Sequence, residues 1–203
     1  MVFLTAIIND PGSESGTGKI MQENDIIIDC NYSFEDAVKG LEIPEVILKQ
    51  LKLISVEYYS FDKKLHRGQI VVNNSAANDI EEIFSFIKKI KFPVGKVIPV
   101  VYYNWNDENS MNDNNSSCFN YRKIQGTKIL SAHAYGLAID INPIQNPQVK
   151  KNKVSPVSGK YDTGRPGTIL KDSEIVKEFK KRGWQWGGNW KSLKDYQHFE
   201  KKN

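Results

Sequence analysis

The chain has 203 residues, of which 39% are apolar and 26% charged, a composition ordinary for one globular domain with a substantial core. No apolar run approaches the roughly 20 residues that span a bilayer, so no transmembrane segment is predicted. The net charge of +4 comes without a run of basic residues interleaved with aromatics, which argues against nucleic acid as a partner.

The first part of the chain gives weak signals. Residues 2–8 are apolar but lack the basic lead and the small-residue cleavage site of a signal peptide, so no secretory signal is predicted there. Residues 10–18 form a Gly- and Ser-rich turn region, and residues 26–28 predict a short strand. Ser33 predicts the start of a helix, and a second short helix is predicted after Pro44.

Stronger periodicity follows in the middle of the chain. Residues 56–61 and 69–72 predict two strands joined by a polar turn. Isoleucine and phenylalanine then recur at helical spacing from an N-cap at Asn78 until Pro93. Residues 96–103 are β-branched and aromatic, and they predict a buried strand.

Two polar segments flank the next ordered region. Residues 104–117 are dense in Asn, Asp and Ser, which predicts a long surface loop that adds nothing to a core. Residues 143–166 form a second long excursion, and loops of this kind beside an ordered segment are typical of a binding site. A last helix is predicted from an N-cap at Ser173 to a stop at Gly183.

The ordered region between these loops carries a histidine and an aspartate in apolar surroundings. Residues 137–141 suit a strand, which places Ala138 and Asp140 on one face. A carboxylate buried there is costly unless it is paired or coordinated. Gly136 supplies a bend that would let His133 approach Asp140, although each residue by itself also fits a purely structural role.

The C-terminal segment supplies a second histidine and a second carboxylate. His198 follows Asp195 by three residues, and with His133 and Asp140 it completes a set of two imidazoles and one carboxylate. That set, with a fourth position left to water, is common in catalytic zinc sites, and Asp195 would then be free to act as general base. His66 lies outside this pattern and is interpreted as structural.

Cysteine makes no comparable contribution to metal binding. Cys30 and Cys118 are too few for a multi-bridge framework or for a Cys-rich zinc finger. A single disulfide between them stays open, but two buried free thiols are the favoured interpretation.

The motif S-x-H-x-x-G-x-A-x-D at residues 131–140, followed by D-x-x-H at residues 195–198, resembles the D-alanyl-D-alanine carboxypeptidase and L-alanyl-D-glutamate peptidase family. The similarity extends over roughly residues 55–203, and its further pieces are residues 66–93, Ser110-Met111, N-S-S-C-F-N-Y-R at 115–122, Asn146-Pro147 and W-G-G-N-W at 186–190. The first 54 residues have no counterpart in the family. The chain is therefore divided into an N-terminal segment of unknown role, 1–54, and a peptidase domain, 55–203.

The resemblance implies an α+β fold of the Hedgehog/DD-peptidase type, a small antiparallel sheet flanked by helices with long active-site loops. It implies one zinc ion per chain, bound by His133, Asp140 and His198. It further implies that Asp195 activates the attacking water and later protonates the leaving amine, while Arg122 stabilises the oxyanion.

Ser131, the first residue of the motif, is assigned to substrate binding. Orienting a metal ligand, or simple packing, fits that serine equally well.

The implied substrates are peptidoglycan stem peptides in the cell envelope, either periplasmic or extracellular. Cleavage of D-Ala-D-Ala ends is preferred, and cleavage between L-Ala and D-Glu stays open, since no spacing reveals stereochemistry. A zinc-bearing binding module with the same fold is a further alternative. The mildly basic charge suits an anionic cell wall, but solvated lysines explain it as well. The oligomeric state is left open.

Overall fold

The structure, a computed structural model, describes residues 26–202. The interpretations of residues 2–8 and 10–18 therefore lie outside the described residues. The strands of the described part are β1 (Ile27–Ile28), β2 (Leu51–Tyr59), β3 (Leu65–Asn73), β4 (Ala138–Asp140), β5 (Gln148–Lys150), β6 (Lys153–Ser155), β7 (Trp184–Trp186), β8 (Lys194–Asp195) and β9 (His198–Lys201). The α-helices are α1 (Phe34–Ala37), α2 (Glu45–Leu48), α3 (Ala77–Lys89), α4 (Asp107–Asn112) and α5 (Glu174–Lys181).

The antiparallel hairpin of β2 and β3 organises the main core. Its register runs from Leu51 opposite Asn73 to Tyr59 opposite Leu65. Both predicted strands are confirmed: β3 contains all of residues 69–72, whereas β2 begins earlier than predicted and ends at Tyr59, two residues before the predicted end. Helix α3 lies on this hairpin and buries Ile80, Ile83 and its other apolar residues against it. Each fully buried aliphatic side chain stabilises the fold by about 1.5–3 kcal/mol. The helix begins at Ala77, one residue before the predicted cap.

The opposite face of the hairpin is covered by the preceding segment. Strand β1 pairs in parallel with β3, and helices α1 and α2 contribute Ala37 and Ile47 to a second cluster with Leu51, Val71 and Phe119. Ser33 caps α1 as predicted, accepting a hydrogen bond from the Asp36 amide at 3.1 Å. The proposed boundary between residues 54 and 55 falls inside β2.

Two further three-stranded sheets complete the fold. One has the order β4-β9-β7, and the other has the order β6-β5-β8. The fold is thus a mixture of α-helices and small, mostly antiparallel sheets. None of the helices between residues 26 and 202 is long and apolar enough to cross a membrane.

The prediction of a buried strand at residues 96–103 was wrong. Val100–Tyr103 forms a 3₁₀ helix that begins after Pro99 and ends at Asn104, whose φ is 52°. Proline cannot donate a ladder hydrogen bond, so it interrupts a central strand despite the favourable neighbours. The apolar side chains of Val97, Ile98 and Val100 are buried as predicted, whereas Tyr102 is exposed and the backbone is not a strand.

The prediction of residues 104–117 as a surface loop was wrong in part. The segment contains α4, capped by Asn106, and it buries Asn115. The Asn115 amide accepts from the Ile98 backbone N–H at 2.8 Å and donates to the Ile98 carbonyl at 2.9 Å. A buried asparagine is stable when it satisfies such backbone groups, which composition alone does not reveal. The second predicted loop, 143–166, likewise contains the β5–β6 hairpin.

Candidate active site

Two neighbouring elements and one strand near the C-terminus carry the predicted metal ligands. His133 lies in a 3₁₀ helix, Ala132–Tyr135, whose N-cap is Ser131. Gly136 ends this helix with a φ of 65°, and a Cβ there would lie 2.6 Å from the Asn73 backbone nitrogen. The bend therefore requires glycine, as the sequence predicted. Because Asp140 is paired with His198 across β4 and β9, the C-terminal imidazole lies directly beside the carboxylate.

The structure brings His133, Asp140 and His198 together as one buried group. His133 Nε2 lies 3.2 Å from His198 Nδ1 and 3.4 Å from Asp140 Oδ1, and His198 Nδ1 lies 2.9 Å from the same carboxylate oxygen. Ligands at 2.0–2.1 Å from a tetrahedral zinc ion are separated from one another by about 3.3–3.4 Å. The three donor atoms therefore fit a common metal ion, and the group could hold one.

Each imidazole is oriented by a contact of its other ring nitrogen, the one that does not face the group. His133 Nδ1 lies 2.6 Å from the Cys118 carbonyl, and His198 Nε2 lies 3.5 Å from Glu200 Oε2. A hydrogen bond from one ring nitrogen leaves the other as the metal-ligating atom. Neither contact was predicted from the sequence. Glu200 could have been found, because it lies two residues after His198 on the same face of a strand.

The electrostatics of the group depend on its burial. Burial alone would raise the pKa of Asp140, but the charge of His133 and hydrogen bonds with both imidazoles outweigh it and hold that pKa well below the ordinary range. Burial lowers the pKa of His198, yet hydrogen bonds with Asp140 and Glu200 raise it to about 10. The group thus favours a cation beside Asp140, which is the position a metal ion would take.

Asp195 is buried next to this group and has two unlike oxygen atoms. Oδ2 accepts a hydrogen bond from Gln148 Nε2 at 2.7 Å, whereas Oδ1 has no partner among residues 26–202. Burial and the nearby negative charge of Asp140 raise the pKa of Asp195 to about 6. A carboxyl group with such a pKa can both accept and return a proton near neutral pH. Nothing in the sequence marked Gln148.

Arg122 is held at the edge of the polar segment that was predicted as a loop. One terminal nitrogen lies 2.8 Å from Asp107 Oδ2, and its backbone carbonyl accepts from the Ser131 amide at 3.0 Å. Its Nε is buried without a hydrogen-bond partner in the described part of the chain. Within the described residues, the Nε–H group of Arg122 is therefore a donor without an acceptor. Asp107, which orients the guanidinium, was not predicted as a site residue, because residues 104–117 were predicted to form a surface loop.

Ser131 is buried, and its hydroxyl accepts from the His133 backbone N–H at 3.3 Å. This contact suits the interpretation that the serine orients a ligand. A role in substrate binding stays a prediction. His66 bonds instead with Asp29 and Asp62, apart from the three ligands. Cys30 and Cys118 are free thiols.

The family model described as D-alanyl-D-alanine carboxypeptidase matches residues 125–201. No solved structure matches the chain. The matched segment contains His133, Asp140, Asp195 and His198, while Arg122 lies just before it. The resemblance of the motifs is thereby confirmed over residues 125–201, which are similar to the D-alanyl-D-alanine carboxypeptidase family.

Proposed function

We propose that the protein is a zinc-dependent peptidase that hydrolyses peptidoglycan stem peptides, with D-Ala-D-Ala carboxypeptidase action. The observation that carries this proposal is the convergence of His133, Asp140 and His198 beside a buried carboxylate, Asp195, that binds none of them through a hydrogen bond. Metal-dependent hydrolysis uses a metal-binding group together with an adjacent acid–base residue. The finer fold assignment that accompanies this proposal is the Hedgehog/DD-peptidase type.

Zinc would be held by His133 Nε2, Asp140 Oδ1 and His198 Nδ1, and it supplies Lewis acidity and a lowered pKa for water when bound. The chain itself supplies the orientation of these ligands. The Cys118 carbonyl and the Glu200 carboxylate fix the two rings, so that little reorganisation accompanies metal binding.

Asp195 would act as the acid–base residue. Its Oδ1, which has no hydrogen-bond partner in the described part of the chain, would accept the proton of the attacking water and later return it to the leaving amine. Addition of the water forms the new C–O bond and a tetrahedral oxyanion, and collapse of that species then breaks the peptide C–N bond. The proton taken by Asp195 in the first step leaves on the amine in the second. A pKa of about 6 suits both directions of transfer.

Arg122 would stabilise the negative charge that develops on the carbonyl oxygen. The ion pair with Asp107 fixes the guanidinium, and the buried Nε is left as a donor. A preoriented donor of this kind strengthens as charge develops and therefore acts on the transition state.

The proposed place of action is the cell envelope, and three features support it. The description of the matching family model names D-alanyl-D-alanine, the charge of +4 favours an anionic mesh, and two polar segments, 104–117 and 143–166, flank Arg122, His133 and Asp140 in the sequence. Attraction to an anionic wall weakens with salt, because exposed charges are screened over about 10 Å at 0.1 M ionic strength.

The test is digestion of purified wall material and of ordinary L-peptides side by side, with and without a chelator. Chelator-sensitive release of D-alanine supports the proposal. New L-alanine or D-glutamate ends would instead mark an L-alanyl-D-glutamate endopeptidase. Cleavage of L-peptides alone contradicts the wall substrate, and zinc binding without any cleavage indicates a binding module.

A further inference from the structure

One polar residue beside the site has no role in the mechanism described so far. Gln148 lies in the second long excursion of the chain, 47 positions from Asp195 in the sequence, yet its side-chain amide reaches the buried carboxylate. The contact is short, 2.7 Å from Nε2 to Oδ2. It is the only hydrogen bond recorded for that side chain within residues 26–202.

The backbone explains why the two side chains meet. In the antiparallel pair of β5 and β8, Gln148 lies directly opposite Asp195, and Val149 lies opposite Lys194. Residues directly opposite in such a pair project from the same face of the sheet. Strand β6 pairs with the other edge of β5 and fixes Gln148 from the far side. The excursion at 143–166 therefore delivers an amide donor to the carboxylate.

The two oxygens of Asp195 are then no longer equivalent. A carboxylate offers about four lone-pair positions, and an amide N–H on Oδ2 fixes the rotamer of the side chain. The buried Oδ1 has no hydrogen-bond partner among residues 26–202. A general base must hold its reacting oxygen in place, because loss of about 1 Å in position can reduce the rate by about 10²-fold.

We propose that Gln148 is the positioning residue of Asp195: its amide holds Oδ2 and so assigns Oδ1 as the atom that exchanges the proton. This inference rests on the proposed peptidase function. The excursion that carries Gln148 is accordingly part of the catalytic machinery and not a spacer.

The test compares three variants of the full-length, zinc-loaded protein. Gln148→Met keeps the length of the side chain and removes the donor, and Gln148→Lys keeps a donor. Val149→Thr is the matched control, because it alters the same strand on the opposite face. We expect Gln148→Met to lower kcat by about 10- to 100-fold, the usual value of a hydrogen bond to a charged group, with KM and zinc content unchanged.

The pH profile separates positioning from mere strand stability. The acid limb of kcat/KM should move to higher pH in Gln148→Met, since a donor to the ionised form has been lost, and should stay at or below its wild-type position in Gln148→Lys. An unchanged kcat and an unchanged limb in Gln148→Met would overturn the proposal. So would equal losses of kcat and melting temperature in Gln148→Met and Val149→Thr. If Gln148→Met does not fold, the test is the acid limb of the kcat/KM profile of Gln148→Lys. A shift of that limb to higher pH than in the wild type contradicts the proposal.

Failure of the proposed function is recognised separately. If the wild-type protein binds zinc but cleaves no stem peptide, the peptidase assignment fails. The positioning role is then measured by ¹³C NMR titration of the Asp195 carboxyl in the zinc-loaded wild type and Gln148→Met. A higher pKa of Asp195 in the variant supports the contact, and equal values overturn it.

Discussion

Two polar clusters of this protein contain the same residue types, His and Asp, but differ in the arrangement of their polar atoms. One comprises His133, Asp140 and His198, and the other comprises His66 with Asp29 and Asp62. In the first cluster the donor atoms point toward one common position. In the second they form a chain, in which each polar atom faces its own partner.

The contacts of His66 make this contrast concrete. Its Nδ1 lies 2.8 Å from Asp29 Oδ1 and its Nε2 lies 3.2 Å from Asp62 Oδ2, so both ring nitrogens are occupied by carboxylates. The other oxygen of Asp29 accepts a hydrogen bond from the buried Tyr58 hydroxyl. This second cluster fastens the β1 segment to the β2–β3 hairpin. The mutual closeness of three donor atoms, and not the presence of His and Asp, therefore distinguishes the candidate metal site from a structural network.

The largest expected effect tests that distinction directly. His198→Ala or His133→Ala should reduce bound zinc from one ion per chain to none, because two remaining ligands hold the ion poorly. His66→Ala, the matched control in the other cluster, should keep the full amount. Elemental analysis of the purified proteins gives the answer. Full zinc occupancy in both ligand variants would remove the assignment.

Asp195→Asn should separate metal binding from catalysis. The variant removes the base but no proposed ligand, so zinc should be retained while turnover falls by about 10²–10⁴-fold. Zinc content and stem-peptide cleavage are measured on the same preparation. Stoichiometric loss of zinc would show that Asp195 is itself a ligand and that Asp140 needs another role.

Arg122→Lys should have a smaller effect, concentrated in kcat. Lysine keeps the charge but loses the planar fork and the Nε donor, so we expect a fall of about 10- to 100-fold in kcat and little change in KM. Steady-state kinetics on a D-Ala-D-Ala peptide measure both values. Unchanged kinetics would show that the Arg122–Asp107 pair is a surface ion pair without a catalytic role.

The pH dependence of cleavage should follow the ionisation of Asp195. Its pKa is raised to about 6, first by burial and then by the charge of Asp140. A general base must be deprotonated, so activity should be full above this pKa and should fall about tenfold for each pH unit below it. The profile of kcat/KM between pH 4 and 8 tests this. A flat profile across pH 6 would contradict the assigned base.

The smallest effect is expected in the structural cluster. Asp29→Asn removes the anionic partner of His66 and should lower the free energy of unfolding by about 1–3 kcal/mol without any loss of zinc. Burial lowers the pKa of His66, but hydrogen bonds with Asp29 and Asp62 raise it above the ordinary value. The stabilisation is therefore complete below the unfolded pKa and is lost as the pH rises through the folded pKa.

Urea denaturation of the wild type and of Asp29→Asn at several pH values measures that difference. The two proteins should converge in stability at alkaline pH. A loss of zinc in Asp29→Asn would show that the two clusters are coupled and would break the comparison.

The sequence by itself determined the residue types of the site and their local arrangement. Alternation along residues 137–141 placed Asp140 on a defined face, Gly136 marked the bend, and the caps at Ser33 and Ser173 fixed two helix starts. These features depend on neighbours within a few positions, which is why pattern and propensity report them. The motif indicated a resemblance to the carboxypeptidase family, and the match of the family model to residues 125–201 confirms that resemblance.

Only the tertiary structure decided which distant groups meet. The register of β4 on β9 brings His198 to Asp140, and the register of β5 on β8 brings Gln148 to Asp195. Within 104–117, Asn115 is buried because it completes the hydrogen bonds of Ile98, and α4 places Asp107 beside Arg122. Such contacts are set by strand pairing and by the hydrogen bonding of buried polar groups. Neither produces a periodic pattern of residues that could be recognised in the sequence.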